Sequence, residues 1–346
     1  MRGCASFAQW IGIVSFLSAC ERPLDARTSM SPEKTVVVFA DAVDWSELEE
    51  PIRALFEEPI ETPREESIYK VRRESPADFE FFSQFAMILI AGTHDRWGEA
   101  FSLLRPHMTL ATLADDSAEN GWLRTKRDLW AHPQLVGVLS GESGAEIRGR
   151  VLVQGTALRD VYDSFVRERV ADKILRRTQS EAEERAARET GIKVPIPRRW
   201  LIRDFDRDHA RVAIWKRRKK EDWQLLVQAM PGASERGLRE RCRIWRDAVI
   251  GEVYDGDLIR SEGLKTDERS FEGRPGVRLR GLWENRGYVM GGPFETWCIP
   301  DPAAHRTLLV DMSVYAPGES KMEGLRTLQT LASRVELDPR WEADPR

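Results

Sequence analysis

Ile192-Lys193-Val194-Pro195-Ile196-Pro197 marks the point at which the order of elements in this chain changes. Prolines interleaved with β-branched residues cannot continue a helix and punctuate the chain. On the N-terminal side, apolar runs alternate with helical patterns. Thr35–Ala40 is short, β-branched and apolar, which predicts a buried strand. Asp44 or Ser46 is expected to cap the following helix, whose apolar face includes Leu48, Ile52, Leu55 and Phe56. Ser67–Arg73, Phe85–Ala91, Trp122–Arg127 and Gln134–Ser140 read as strands, and Ser75-Pro76 opens a helix with proline in its first turn. Helix follows from about Gly144. Over 156–178 its apolar face carries Leu158, Tyr162, Phe165, Val166 and Ile174. Ser180 with Glu183 predicts a capping box, and Gly191 the end of that helix. Residues 35–190 therefore read as an α/β layered domain.

Beyond Pro197 the pattern is a meander, a helix, further strands and a closing helix. Trp200–Phe205, Ala210–Lys216 and Trp223–Ala229 are strand-like, and Ser234 to about Tyr254 is helical. Arg278–Trp283, Tyr288–Pro293, Glu295–Pro300 and Thr307–Tyr315 are further strands before a helix at Lys321–Val335. This order predicts a second domain over 191–338, an antiparallel sheet with helices on one face, and a tail at 339–346. The class is α+β. The topology is loosely similar to the Mog1/PsbP-like folds, a likeness that carries no function.

The chain has 346 residues, 41% hydrophobic and 32% charged, with a net charge of −4. It has enough apolar material for two cores, and its slightly acidic balance argues against nucleic acid as a partner. The N-terminus is ordered as an export signal: Arg2, an apolar segment from Phe7 to Phe16, then small residues before a cysteine. Leu17-Ser18-Ala19-Cys20 resembles the lipobox of bacterial lipoproteins. That resemblance implies cleavage after residue 19, acyl chains on Cys20, and a membrane reached through covalent lipid. Residues 20–34, with Pro23 and Pro32, read as a flexible tether. Glu21 in place of Asp favours the outer membrane, facing the periplasm. With Cys4 removed and Cys20 lipidated, Cys242 and Cys298 are left; they read as two buried thiols, with a disulfide as the alternative.

Four segments resemble a family of uncharacterised envelope lipoproteins: Leu129-Trp130-Ala131-His132-Pro133-Gln134, Arg280-Gly281-Leu282-Trp283, Met290-Gly291-Gly292-Pro293-Phe294 and Val314-Tyr315-Ala316-Pro317. The resemblance spans the mature chain. His132 departs from the lysine common there. It implies a lipidated envelope protein and assigns no reaction. Candidate binding residues are Trp130 and Gln134 as an aromatic lip, Arg280 for a carboxylate or phosphate, and Trp283, Met290, Gly291, Gly292 and Phe294 around a backbone groove. The alternative for the Gly-Gly-Pro segment is a hairpin with aromatics packed in the core. The five histidines lack HExxH spacing, and no Walker, Rossmann or G-x-S-x-G signature is present. No metal, cofactor or catalytic residue is assigned. The expected activity is a non-catalytic binding or structural component that engages an envelope protein or polymer. The alternatives are an envelope hydrolase with an interdomain site and a small-ligand-binding lipoprotein.

Overall fold

The computed structural model describes residues 27–30, 34–62, 65–94, 98–107, 122–218 and 220–338. The lipobox with Cys20, most of the tether and the tail from 339 lie outside the described residues.

The N-terminal unit is a five-stranded sheet of β1 (Thr35–Ala40), β2 (Lys70–Glu74), β3 (Met87–Thr93), β4 (Leu123–Arg127) and β5 (Leu135–Gly141), in the order β2-β1-β3-β5-β4. The first four in that order run parallel and β4 pairs antiparallel with β5. All residues of β1, β3 and β5 are buried, as a parallel sheet covered on both faces requires. On one face lie α1 (Ala42–Phe56) and α2 (Gly144–Ile174); on the other, Phe82, Phe101 and Leu104 cover Val37, Phe39 and Ile90.

Two expected caps are not made. The first helix starts at Ala42 after Asp41, so Asp44 lies inside it, buried beside Thr93, and the Ser46 hydroxyl donates to the Val43 carbonyl. At α3 (Ser180–Thr190) the N-cap is Gln179, and Glu183 instead accepts from the Ile196 amide. This ties the helix to the proline-punctuated segment. Gly191 closes α3 at φ 68°, as read.

The C-terminal unit is a seven-stranded antiparallel sheet of β6 (Leu201–Asp206), β7 (Arg211–Arg218), β8 (Glu221–Pro231), β9 (Asp257–Phe271), β10 (Arg274–Asn285), β11 (Met290–Asp301) and β12 (Arg306–Tyr315), in the order β6-β7-β8-β12-β11-β10-β9. The α+β class and the antiparallel sheet are as read, but the helices divide between its two faces. α4 (Leu238–Val253) covers Leu226, Leu279, Cys298 and Leu309. α5 (Lys321–Ala332) lies with Trp223, Leu225, Trp297 and Val310 on the other face. That second core continues into the N-terminal unit through Ile68, Tyr69 and Val166.

The segments read as two strands at 288–293 and 295–300 form one strand, β11, and β9 has no counterpart in the reading. β9 is an edge strand and mostly exposed, so its sequence carries little apolar alternation. Cys242 on α4 and Cys298 on β11 are bonded to each other, with Cα atoms 5.9 Å apart, so they are not the two separate thiols expected. Among the described residues no helix is long and apolar enough to cross a membrane.

Candidate functional site

The two units meet across a cleft of about 410 Å³. From the N-terminal unit it is lined by the loop after α1 (Pro59–Glu61) and by the exposed flank of α2, where Arg159, Asp160, Asp163 and Arg167 share one face at helical spacing. From the C-terminal unit come Arg269 and Phe271 of β9, Arg278 and Arg280 of β10, Trp297 of β11, and Arg326 and Gln329 of α5. The rings of Phe271 and Trp297 lie 5.1 Å apart against the wall.

The deeper charges are organised as salts. Arg280 donates to Glu58 at 3.2 Å and to Asp267 at 3.4 Å. Glu58 also pairs with Arg159, so one carboxylate from the loop after α1 joins the long helix to the sheet. Arg278 makes a two-pronged bond to Asp267 at 2.9 and 2.8 Å. The Tyr69 hydroxyl donates to Asp163 at 2.5 Å. Glu295 accepts from the Trp297 indole at 2.7 Å and from Gln329 at 3.1 Å. Burial alone would raise the pKa of Glu58, but the hydrogen bond and charge of Arg159, then the charge and hydrogen bond of Arg280, bring it below the ordinary carboxylate value. Asp267 is likewise lowered: burial pushes it up, and Arg278, Arg280 and Arg269 outweigh that push.

The mouth differs. Asp160 has its pKa raised, first by burial and then by the neighbouring Asp163, against the charges of Arg159, Arg167 and Arg269. Arg167 bonds the Ser164 hydroxyl at 3.2 Å, and Arg269 reaches Asp267 only at 3.9 Å. Two guanidinium groups, both without a short carboxylate contact among the described residues, thus stand beside Asp160.

Of the residues singled out in the sequence, Arg280 and Phe294 line this cleft. Trp130 and Gln134 lie elsewhere, at the start of β5. Gln134 is fully buried; its amide donates to the carbonyls of Ser83 and Phe85 and its oxygen accepts from the Trp130 amide. Its task is to satisfy the backbone of a loop. The Trp130 indole donates to His107 and its ring packs edge-on against Phe79. Trp283 is buried under α4.

Met290, Gly291 and Gly292 begin β11 and pair with Asn285, Glu284 and Trp283 of β10. A Cβ on Gly291 would stand 2.7 Å from the Trp283 carbonyl oxygen, and one on Gly292 would stand 2.0 Å from that of Val314. The glycines therefore allow neighbouring strands to approach. They form no groove for a ligand, and the turn of the hairpin lies before them, at Arg286–Val289.

The residues of the cleft and of the salts behind it that the sequence does not single out as site candidates are Glu58, Arg159, Asp160, Asp163, Asp267 and Arg278. Only the three on α2 share a local pattern. Among the described residues there is no cluster of His, Cys, Asp and Glu fit for a metal ion.

The chain resembles two described families over segments that meet where α2 gives way to α3. Residues 29–174 match the family described as domain of unknown function DUF8532, and residues 179–333 match domain of unknown function DUF4837. The cleft lies between the two matched segments. No curated protein matches the chain. Solved structures with partial likeness include the Ran-binding protein Mog1p of Saccharomyces cerevisiae, at 9% identity and TM-score 0.30 over 43% of this chain and 90% of that one. LpqN of Mycobacterium tuberculosis, described as involved in cell envelope biogenesis, matches at 10% identity and TM-score 0.27 over 42% of this chain and 81% of its own. A protein of Bacteroides thetaiotaomicron matches at 6% identity and TM-score 0.26, over 44% and 46%.

Proposed function

We propose that this is a lipid-anchored envelope protein, held at Cys20 on the periplasmic side of the outer membrane, that binds a polar envelope polymer or peptide in the interdomain cleft without transforming it. The lipobox-like N-terminus supports the location. The Cys242–Cys298 bond agrees with it, since such bonds persist in oxidising compartments.

The observation that carries the binding reading is the salt form of the carboxylates that hold the cleft-lining arginines Arg159, Arg278 and Arg280. Glu58 and Asp267 are held ionised by arginine, so neither is a proton donor near neutral pH, and Asp163 and Glu295 are already hydrogen-bonded. A general acid needs the opposite environment. Arg167 and Arg269 at the mouth suit carboxylates on a polymer, and the mixed donors and acceptors behind them suit amides and hydroxyls.

The test is a calorimetric titration with soluble peptidoglycan fragments, which carry sugar hydroxyls, amides and carboxylates. The native protein is expected to bind, and Arg167→Gln with Arg269→Gln to weaken binding at least tenfold, on the order of 1.4 kcal/mol or more from two charge-assisted contacts. Absence of binding, or binding indifferent to both arginines, contradicts the proposal. One observation favours hydrolysis instead: the raised pKa of Asp160. Release of cleaved fragments, abolished by Asp160→Asn, would establish that alternative.

A further inference from the structure

We infer that the basic end of the molecule, where the long helix α2 and the β7–β8 hairpin meet, docks on an anionic lipid bilayer. The inference rests on the reading of Cys20 as the lipid attachment and adds the face that meets the membrane.

The topology sets which end this is. Arg27 and Thr28 pair with Ala131 and His132, and Met30 bridges to Phe85, just before β5 and β3 begin. The chain towards Cys20 therefore departs at the N-terminal ends of those strands. α2 starts at the opposite end, with Ile147 beside Gly141, and runs back past Gly137, which faces Tyr162. Arg127, paired with Leu135 at the start of β5, stacks on Phe165. From Phe165 to Ile174 the helix advances about 13 Å at 1.5 Å per residue, past the strand starts. Its end thus projects on the side where the tether departs. Seven residues of backbone span at most about 25 Å, so Cys20 cannot lie far from Arg27.

That end gathers positive charge. α2 is followed directly by Arg176 and Arg177, both exposed. The Arg177 carbonyl accepts the Arg198 amide, which places exposed Arg198 and Arg199 alongside. The β7–β8 hairpin adds exposed Arg217, Arg218 and Lys220. Arg217 and Arg218 reach Asp222 and Glu221 only at 3.4 and 3.5 Å. Lys216 reports how close these groups are: burial first, then the charges of Arg218 and Lys173, hold its ammonium down at about 8 despite Glu323 and Glu221. Such a concentration runs against a chain whose net charge is −4. Clustered Lys and Arg beside an anchor are what anionic headgroups attract.

The β10–β11 hairpin leaves the sheet at the same end, because Asp222 is in register with Tyr315 and Phe294 with Ser313. Its tip exposes Tyr288 and Val289, 65% and 93% accessible. Val289 sits at φ 51°, a conformation that β-branched residues rarely adopt. An exposed tyrosine and valine next to basic side chains match the chemistry of a bilayer interface.

The full chain carrying Cys20→Ser, so that acyl chains play no part, is sedimented with vesicles of phosphatidylglycerol and phosphatidylcholine in equal parts and with phosphatidylcholine alone. Binding is expected to the anionic vesicles, falling as salt is raised. Each charge removed should weaken it roughly fivefold, so Arg218→Gln with Lys220→Gln, or Arg176→Gln with Arg177→Gln, should cost about 25-fold. All four substituted side chains are exposed, and circular dichroism checks that the fold is kept. Equal binding to both vesicle types would register only the apolar N-terminal segment and would overturn the inference, as would indifference to the glutamine substitutions. The two readings fail separately: missing acylation of native Cys20 would remove the anchor, whereas the vesicle result concerns the basic end alone.

Discussion

Unfolding the protein in urea with the Cys242–Cys298 bond reduced is expected to require about 4 kcal/mol less than with the bond intact. The cysteines are 56 residues apart in sequence, and closing a loop of that length restricts the unfolded chain by about this amount. The bond also has a structural position that makes its loss visible. α4 is the layer that covers its face of the seven-stranded sheet, and Cys242 and Cys298 are both fully buried in that contact. Cys242→Ala with Cys298→Ala should lower the midpoint as reduction does. Identical midpoints with and without dithiothreitol would contradict the account.

The second large effect is expected at the ion pair beneath the same helix. Arg246 of α4 is 0% exposed and reaches Asp311 of β12, 1% exposed, at 3.2 Å. Asp311 also accepts from the hydroxyls of Thr296 and Ser313, and the guanidinium lies 4.2 Å from the centre of the Phe294 ring. The two terminal nitrogens of Arg246 have no hydrogen-bond partner among the described residues. Asp311→Ala would leave the buried cation only the more distant Asp247, at 3.9 Å, at a cost of about 3–5 kcal/mol. Arg246→Met should cost less, because Asp311 keeps two hydroxyl donors. The double variant Arg246→Met with Asp311→Leu should be more stable than Asp311→Ala alone, since no buried charge remains unpaired. Thermal and urea unfolding of the set measures this order; a double variant less stable than Asp311→Ala would contradict it.

The parts of the fold that were legible in the sequence are those whose burial follows a period. Thr35–Ala40 and Phe85–Ala91 are apolar runs of strand length; the first is a buried parallel strand, and the second overlaps one that begins two residues later and runs over Met87–Thr93. The edge strand β9 was not legible because Asp257–Phe271 is mostly exposed and is interrupted by a register shift between Arg260 and Lys265. A signal for helices on both faces of the second sheet was present. Leu225-Leu226-Val227 and Leu308-Leu309-Val310 are consecutive apolar residues, and neighbours in a strand face opposite ways, so both faces had to be covered.

The site was less legible for a different reason. Glu58 and Arg159 belong to one unit and Asp267 and Arg280, on the paired strands β9 and β10, to the other, and only the folding of one unit against the other brings the two pairs together. Arg280 was a candidate from its segment, but its partners were not. The Met290–Phe294 segment was conspicuous in the sequence because two glycines precede a proline. Its constraint is strand approach, since the Val314 carbonyl leaves no room for a Cβ at Gly292.

Cleft, disulfide and basic end fit one arrangement. Arg27 and Thr28 lie at the N-terminal ends of the parallel strands, the side to which the end of α2 projects, so a lipid at Cys20 would turn that end to the bilayer, and the cleft lies between the two units. The measurement that tests this account most directly is the intact mass of the N-terminal peptide of the protein purified from membranes. The account predicts a peptide that begins at Cys20 and carries a diacylglyceryl group with a further acyl chain on its amine, and an unprocessed, unlabelled precursor for Cys20→Ser. A native protein that retains residues 1–19, or begins at an unmodified Cys20, would contradict it.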